Sequence, residues 1–236
     1  MILLKMEAAR FGINLSDQQL EQFDRYQAVL LDWNQRINLT AITDPASIRL
    51  RHFLDSLSCA AVTGDLNSQS LIDVGTGAGF PGLPLKILYP AVSLVLVESV
   101  QKKTAFLEAV ISELSLKDVT VIAERAETLG RQKAHREQYD WAVARAVAGL
   151  PVLAEYLLPL CKVGGHMLAQ KGVGAAEETE QAAAAIEALG GGKPSLSAVS
   201  LPAVEQVHYL VVVSKIRPTP ESYPRRVGMP AKRPIS

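Results

Sequence analysis

Residues 71–82 read LIDVGTGAGFPG, and this stretch decides the fold of the chain. It begins as an apolar strand candidate, continues as a glycine-rich turn and ends where a helix can start. Glycine suits such a turn because its backbone adopts unusual φ/ψ values and because a ligand can approach it without meeting a Cβ atom. In a parallel sheet the turn would lie at the carboxyl end of the first strand, where cofactors bind.

One acidic residue narrows the choice of cofactor. Glu98 ends the next apolar run, where a carboxylate can accept hydrogen bonds from both ribose hydroxyls of a nucleoside cofactor. The pattern G-x-G-x-x-G at 77–82, with an acid about 20 residues further on, matches the fingerprint of NAD-linked enzymes. Asp73, however, stands two residues before Gly75, which gives the D-x-G-x-G-x-G loop of S-adenosylmethionine (SAM) methyltransferases, whereas the dinucleotide register would place Pro81 inside the turn. A third interpretation is a glycine turn that serves packing alone.

Strand and helix patterns alternate along the rest of the chain. Apolar, β-branched-rich runs that suit strands occupy 70–74, 92–97, 119–123, 141–144 and 166–170, and helical patterns occupy 81–88, 106–114 and 175–189. The last two runs, 196–199 and 207–214, have no helix between them, which favours an antiparallel hairpin at the sheet edge. We therefore expect an α/β, Rossmann-like fold with a seven-stranded, mostly parallel sheet and helices on both faces.

The two ends of the chain differ from this middle part. A capping-box pattern at 16–19 and a second helix start at Asp44-Pro45 predict a helical N-terminal extension over 1–66. The SAM-binding methyltransferase core is expected over 67–216. Residues 215–236 hold 6 basic and 1 acidic residues, and their many prolines predict a basic, proline-rich C-terminal tail over 217–236.

Composition excludes several other classes of protein. The chain has 236 residues, 48% of them hydrophobic and 20% charged, so it can bury a large core and is neither fibrous nor disordered. Neither the two cysteines, Cys59 and Cys161, nor the four histidines have metal-ligand spacing, so we expect no metal. We see no signal peptide and no apolar run near about 18 residues, so we expect a cytoplasmic protein without a membrane partner.

The turn and several other motifs together resemble the bacterial 16S rRNA guanine-N7 methyltransferases, the family also called glucose-inhibited division protein B. The motifs are WNQRINLT at 33–40, RHFLDSL at 51–57, the turn at 73–84, ARA at 144–146 and YPRR at 223–226. The resemblance runs almost end to end. It implies the class I SAM-dependent methyltransferase fold. It also implies methylation of N7 of one guanine in the decoding-region stem-loop of 16S rRNA, with SAM as methyl donor and the small ribosomal subunit as partner.

Candidate cofactor-binding residues follow from the turn, the acid and the resemblance. They are Asp73, Gly75, Thr76, Gly77, Gly79, Phe80, Glu98, Ala126, Glu127 and Arg145. The resemblance implies SAM contacts for Gly75 and Phe80, and an adenine-side contact for Ala126 and Glu127. Arg145, at the end of the fourth strand, either contacts the SAM carboxylate or an RNA phosphate, or forms a surface ion pair.

Candidate RNA-binding residues are mainly cations. They are Arg51, Lys102, Lys103, Tyr223, Arg225 and Arg226. The cations could neutralise phosphates, and Tyr223 could stack on a base. A solvated, solubilising tail is the alternative.

The expected chemistry needs no catalytic base. Guanine N7 presents a lone pair in the base plane, so proximity and orientation, worth roughly 7–11 kcal/mol in aligned systems, can supply most of the catalysis, with Arg145 as a possible helper. The chain lacks an Asn-Pro-Pro-Tyr motif for amine targets and a Pro-Cys pair for attack on pyrimidines. Two other functions stay open: an NAD-linked reductase, and a non-catalytic rRNA-binding or assembly factor.

Overall fold

A single twisted sheet organises the molecule. The computed structural model describes residues 1–202 and 204–235. The strands are β1 Ser70–Val74, β2 Ser93–Val97, β3 Val119–Ile122, β4 Tyr139–Arg145, β5 Cys161–Lys171, β6 Ser195–Val199 and β7 His208–Ser214. They lie in the order β3-β2-β1-β4-β5-β7-β6. The strands from β1 to β5 pair in parallel, and β7 pairs antiparallel with both β5 and β6, which confirms the seven-stranded, mostly parallel sheet and its edge hairpin.

Helices cover both faces of this sheet. They are α1 Ile2–Ala9, α2 Asp17–Asn34, α3 Pro45–Ile48, α4 Asp55–Leu57, α5 Ala60–Thr63, α6 Gly82–Leu88, α7 Gln101–Glu113, α8 Ala126–Leu129, α9 Leu150–Leu157, α10 Ala175–Gln181, α11 Ala183–Ala188 and α12 Met229–Lys232. A π-helix, Arg49–Leu54, joins α3 to α4. Within the described residues, no helix is both long and apolar enough to span a bilayer.

The N-terminal helices share a hydrophobic core with the sheet. Buried Phe23 and Tyr26 of α2 and Phe53 of the π-helix belong to the same cluster as Leu83 of α6 and Trp141 of β4. Helices α8 to α11 pack on the opposite face in a second cluster. Residues 1–66 therefore form a layer of one common core, which fixes them relative to the ligand-binding edge of the sheet.

Two helices differ from the sequence-based expectation. The alanine-rich stretch predicted as one helix over 175–189 is interrupted at Ala182, which separates α10 from α11. The sequence analysis did not predict α9, which follows Gly149 and carries a proline in its first turn. This helix is buried on most of its surface, so it lacks the polar face that gives a helical pattern in sequence.

The C-terminal segment is docked on the core. We use this name for residues 217–235. Pro224 and Pro230 are buried, and the short α12 contacts α9. The residues predicted as a C-terminal tail thus pack against the face covered by α8 and α9.

The order of the strands places the ligand-binding edge. The chain runs from β1 outward to β3 and then returns, so β4 starts the other half of the sheet next to β1. A crevice forms outside the carboxyl ends of two such neighbouring strands, and cofactors bind there in open α/β sheets. The glycine-rich turn follows β1, and Arg145 ends β4, so both lie at this crevice.

Candidate functional site

The three glycines of the turn have different environments. Gly75, Gly77 and Gly79 have φ values of +67°, +61° and +89°, which strain any other residue. A Cβ atom on Gly77 would meet nothing nearer than the Gly75 carbonyl at 4.0 Å, whereas one on Gly79 would collide with Leu83 and with the Tyr26 hydroxyl. Gly77 therefore leaves its main chain open to a ligand, and Gly79 makes room for packing.

Asp73 and Thr76 hold the turn together from inside. The Thr76 hydroxyl donates to Asp73 Oδ2 at 2.6 Å, and the Gly82 amide at the start of α6 donates to the same oxygen at 2.8 Å. Burial raises the pKa of the Asp73 carboxyl to about 6. Its other oxygen, Oδ1, is buried and has no hydrogen-bond partner among the described residues. Asp73 and Thr76 thus shape the turn, and neither lines the cavity described next.

Glu98 is fixed by two main-chain donors. The Gly77 amide donates to Oε2 at 3.2 Å, and the Val100 amide donates to Oε1 at 2.9 Å. Only 6% of the residue is exposed. The carboxylate therefore has a defined orientation at the end of β2, and each oxygen keeps a lone pair for a further donor.

The first cavity lies at the carboxyl ends of β1 and β2. It has a volume of about 110 Å³ and is lined by Val74, Gly75, Val97, Glu98, Ser99, Glu124, Arg125, Ala126, Glu127, Val147 and Tyr156. Three carboxylates and one guanidinium among these side chains make its polar lining predominantly acidic. The Gly228 amide of the C-terminal segment donates to Glu127 Oε1 at 2.9 Å. Burial and the neighbouring Glu127 carboxylate raise the pKa of Tyr156.

The second cavity lies beside it, at the carboxyl ends of β4 and β5. It has a volume of about 340 Å³ and is lined by Ile42, Arg51, His52, Asp55, Arg145, Ala146, Gln170, Lys171, Gly172 and His208. Buried Asp55 organises this cavity, because it accepts from Arg145 Nη1 at 3.0 Å and from His208 Nδ1 at 2.9 Å. The hydrogen bond to Asp55 raises the pKa of His208.

Phe80 forms an aromatic floor next to the second cavity. The His52 ring stacks on Phe80 with 4.7 Å between centroids, and the Arg145 guanidinium carbon lies 4.8 Å from the Phe80 centroid. Burial, with the positive charge of Arg145, lowers the pKa of His52 to about 4. His52 is therefore a neutral, packed ring at physiological pH, and Thr40 Oγ1 lies 2.7 Å from its Nε2.

The structure divides the predicted cofactor residues between these places. Gly75, Glu98, Ala126 and Glu127 line the first cavity. Arg145 lines the second cavity and forms an ion pair with Asp55 there. An ion pair was one of the two alternatives expected for Arg145, but this pair lies in the crevice and not on the outer surface. The remaining residues belong to the turn and its surroundings: Asp73, Thr76, Gly77, Gly79 and Phe80.

The predicted RNA-binding residues are likewise divided. Arg51, Lys102 and Arg226 are exposed, and Lys103 is half-buried on the first turn of α7. The Arg225 guanidinium donates to the buried carboxylate of Glu155, and the Tyr223 ring is partly buried against the core. The RNA contacts of these two residues stay predictions.

Sequence reasoning missed two residues of the second cavity, Asp55 and His208. They are 153 positions apart, so no local spacing reveals their contact. Asp55 did carry a signal, since it is the single acid inside the motif at 51–57. No cluster of three or more possible metal ligands occurs in the described part of the chain.

The comparisons with known proteins agree with this architecture. Residues 19–206 match the GidB family, described as rRNA small subunit methyltransferase G. The chain is 56% identical over 235 residues to "Ribosomal RNA small subunit methyltransferase G" of Roseiflexus sp. (strain RS-1), with 100% of both chains covered. It is 46% identical over 234 residues to the protein of the same name from Alkaliphilus metalliredigens, with 99% of this chain and 98% of the relative covered.

Solved structures support the fold. A predicted O-methyltransferase from Agrobacterium tumefaciens has a TM-score of 0.53 at 18% identity, with 71% of this chain and 82% of that chain covered. A variant of the 16S rRNA (adenine(1408)-N(1))-methyltransferase from Catenulisporales acidiphilia has a TM-score of 0.51 at 14% identity, with 66% and 88% covered. The expected class I methyltransferase fold is therefore confirmed. The family match over residues 19–206 and the 56% identity to a full-length relative show that this chain belongs to the GidB family of ribosomal RNA small subunit methyltransferases G.

Proposed function

We propose that this protein uses SAM to methylate N7 of a guanine in the decoding-region stem-loop of 16S rRNA. Relatives at 43–56% identity over nearly the full chain carry the name of a small-subunit rRNA methyltransferase, which supports the substrate class. The choice of one guanine and of its N7 atom rests on the family resemblance. The geometry of the two cavities supports the cofactor and the type of chemistry.

The Asp73 carboxylate at the start of α6 is the observation that carries the cofactor assignment. A dinucleotide would place its pyrophosphate at the N-terminus of this helix, where free amides attract anions. Here the Gly82 amide already donates to Asp73, and the Gly77 amide donates to Glu98. An anionic pyrophosphate would meet two carboxylates and lose these donors. The acidic lining instead suits a ligand that carries a sulfonium cation and a ribose.

The residues of the first cavity fit the nucleoside part of SAM. Glu98 is oriented to accept from the ribose hydroxyls, and Ala126 and Glu127 lie where the adenine side is expected. The apolar side chains of Val97 and Tyr156 offer surfaces for a planar base. When bound, SAM supplies an electrophilic methyl group, and the protein has to present the acceptor atom in line with it.

The second cavity is our candidate position for the target guanine. It lies beside the crevice, and Arg145 is held there by the buried Asp55. Because N7 carries a free lone pair, methyl transfer needs no deprotonation. We therefore assign His52, which is neutral with a pKa of about 4, a packing role and no proton transfer. Orientation of the two reactants can then contribute roughly 7–11 kcal/mol to lowering the barrier.

Exposed and half-buried cations surround this edge of the sheet and are proposed to contact RNA phosphates. Arg51 lines the second cavity, Lys102 and Lys103 begin α7, and Arg226 projects from the C-terminal segment. Each phosphate neutralised by such a residue steepens the salt dependence of binding. Substituting them one at a time should lower both the RNA affinity and its salt slope.

One experiment separates this function from its alternatives. The protein is incubated with labelled SAM and 30S particles from a strain lacking this gene, and the methylated nucleotide is mapped by mass spectrometry. We expect label on one guanine, at N7. If no methyl group is transferred but the protein still binds the particles, a non-catalytic assembly factor would be the remaining function. Thermal stabilisation by NADH and not by S-adenosylhomocysteine would establish the reductase.

A further inference from the structure

The C-terminal segment is attached to the core by an ion pair between half-buried Arg225 and the buried carboxylate of Glu155. Arg225 Nε donates to Glu155 Oε1 at 2.9 Å and Arg225 Nη2 donates to Oε2 at 2.6 Å, while the Arg225 amide adds a third bond at 2.7 Å. Glu155 is fully buried in α9. A carboxylate in that position depends on its partner, because an unpaired buried charge is strongly destabilising. The sequence feature that suggested an RNA-binding arm therefore has a structural use.

A second set of contacts fixes the path of the segment. Arg136 donates to the carbonyl oxygens of Thr219 at 2.7 Å and of Tyr223 at 2.8 Å. Pro224 packs so closely on Gly130 that a Cβ atom there would lie 2.9 Å from Pro224 Cγ. On the side of the segment, these contacts involve main-chain carbonyl oxygens and a proline ring. They therefore fix the backbone conformation of the segment, which an electrostatic attraction alone would not do.

Two walls of the first cavity are connected to this segment. Tyr156 follows Glu155 directly in α9, and Glu127 accepts the Gly228 amide at 2.9 Å. Glu127 is only 4% exposed and shares the cavity with two other carboxylates, Glu98 and Glu124. The Gly228 donor therefore fixes the position of one of the three carboxylates that line the cavity.

We propose that the C-terminal segment is a positioning element of the cofactor site, acting through the bond from the Gly228 amide to Glu127. This inference rests on the proposed function, which places the adenine side of SAM at Ala126 and Glu127. Gly228 reaches the cofactor only through Glu127, so it is a positioning residue. It raises cofactor affinity and leaves the chemical step unchanged.

Two truncated proteins test the inference. One ends at Val227 and lacks Gly228, and its matched control ends at Lys232 and keeps Gly228 and α12. Both keep the Arg225–Glu155 pair and both lose Ile235, which packs on the core, so they differ only in residues 228–232. Calorimetric titration with S-adenosylhomocysteine gives the affinity, and methyl transfer to 30S particles gives KM and kcat.

We expect about tenfold weaker binding and an about tenfold higher KM for SAM in the shorter protein, the scale of one hydrogen bond to a charged group, with kcat within twofold of the control. Equal affinities in the two truncated proteins would overturn the inference. So would a loss of RNA affinity with unchanged cofactor affinity, which would make the segment an RNA arm. Failure of the full chain to bind S-adenosylhomocysteine would instead refute the proposed function.

A second variant guards against loss of folding in the shorter protein. Two glycines inserted between the exposed residues Arg226 and Val227 keep the full segment but displace the Gly228 amide from Glu127. The matched control carries the same insertion after Arg233, beyond α12. Weaker cofactor binding in the first insertion alone supports the inference, and equal binding in both overturns it.

Discussion

Replacement of Glu98 by alanine tests the cofactor site most directly. In the structure its carboxylate accepts two main-chain bonds, from Gly77 at 3.2 Å and Val100 at 2.9 Å, which orient it toward the first cavity. A hydrogen bond to a charged group contributes about 1.5–3 kcal/mol. Loss of the ribose contact should therefore raise the Kd for S-adenosylhomocysteine by roughly 10- to 150-fold, since each 1.4 kcal/mol is about tenfold.

The same substitution also has a structural cost that must be measured separately. Val100 is exposed and Gly77 half-exposed, so water can replace the lost acceptor, and we expect a destabilisation of only about 1 kcal/mol. For a chain of this size that corresponds to a Tm roughly 2–4 °C lower. Glu108→Ala on the exposed side of α7 is the matched control, and it should change neither quantity.

Calorimetric titration and thermal unfolding of the same samples decide the question. Glu98→Gln keeps one carbonyl acceptor and should bind with intermediate affinity. A Glu98→Ala protein that is folded and binds S-adenosylhomocysteine within twofold of the wild type would refute the ribose contact. It would also remove the reason for placing the cofactor in the first cavity.

Three further predictions concern the ion pair and the two perturbed pKa values. Arg225→Met leaves the buried charge of Glu155 unpaired and should cost about 3–5 kcal/mol in urea unfolding, whereas Arg226→Met should stay within about 0.5 kcal/mol; equal effects would contradict the docked segment. Burial raises the pKa of Asp73 from 3.8 to about 6, so between these pH values the folded state binds this proton more tightly than the unfolded state. The free energy of unfolding of the wild type, relative to that of Asp73→Asn, should therefore fall as the pH rises from about 4 to about 6. A rise over this range would refute the raised pKa. His52 has its pKa lowered to about 4, so His52→Gln should leave the shape of the pH–rate profile between pH 6 and 8 unchanged, and a lost limb would identify a base.

The sequence contained most of the information needed for the sheet. Ser70–Val74 forms β1 with the predicted bounds, because a strand buried on both faces is a continuous apolar run and the glycines mark its end. The same reasoning failed at Ala182, where the helix is interrupted without a glycine or proline. It also failed for α9, whose buried surface removes the polar half of the helical pattern.

The site was only partly predictable, for a different reason. The glycine turn follows β1, and Glu98 follows the neighbouring parallel strand β2. Both therefore lie at the same edge of the sheet, so their contact could be predicted from the order of strands along the chain. Arg225 and Arg226 cannot be distinguished in sequence, because what separates their environments is Glu155, 70 positions away on a helix that was not predicted. Pairing across the fold, and not residue type, determines which cation is available to a phosphate.

The position of β7 has a consequence for how the molecule is assembled during synthesis. Strand β6 is made first but lies at the outer edge of the sheet, and it joins the rest through β7, which enters between β5 and β6. In the emerging chain, β6 therefore cannot pair with the sheet until β7 has left the ribosome. His208 begins β7 and forms a hydrogen bond with Asp55. The second cavity is therefore completed only when β7 enters the sheet. A growing polypeptide stopped before β7 would carry the glycine turn but would lack His208, one of the residues that line the second cavity.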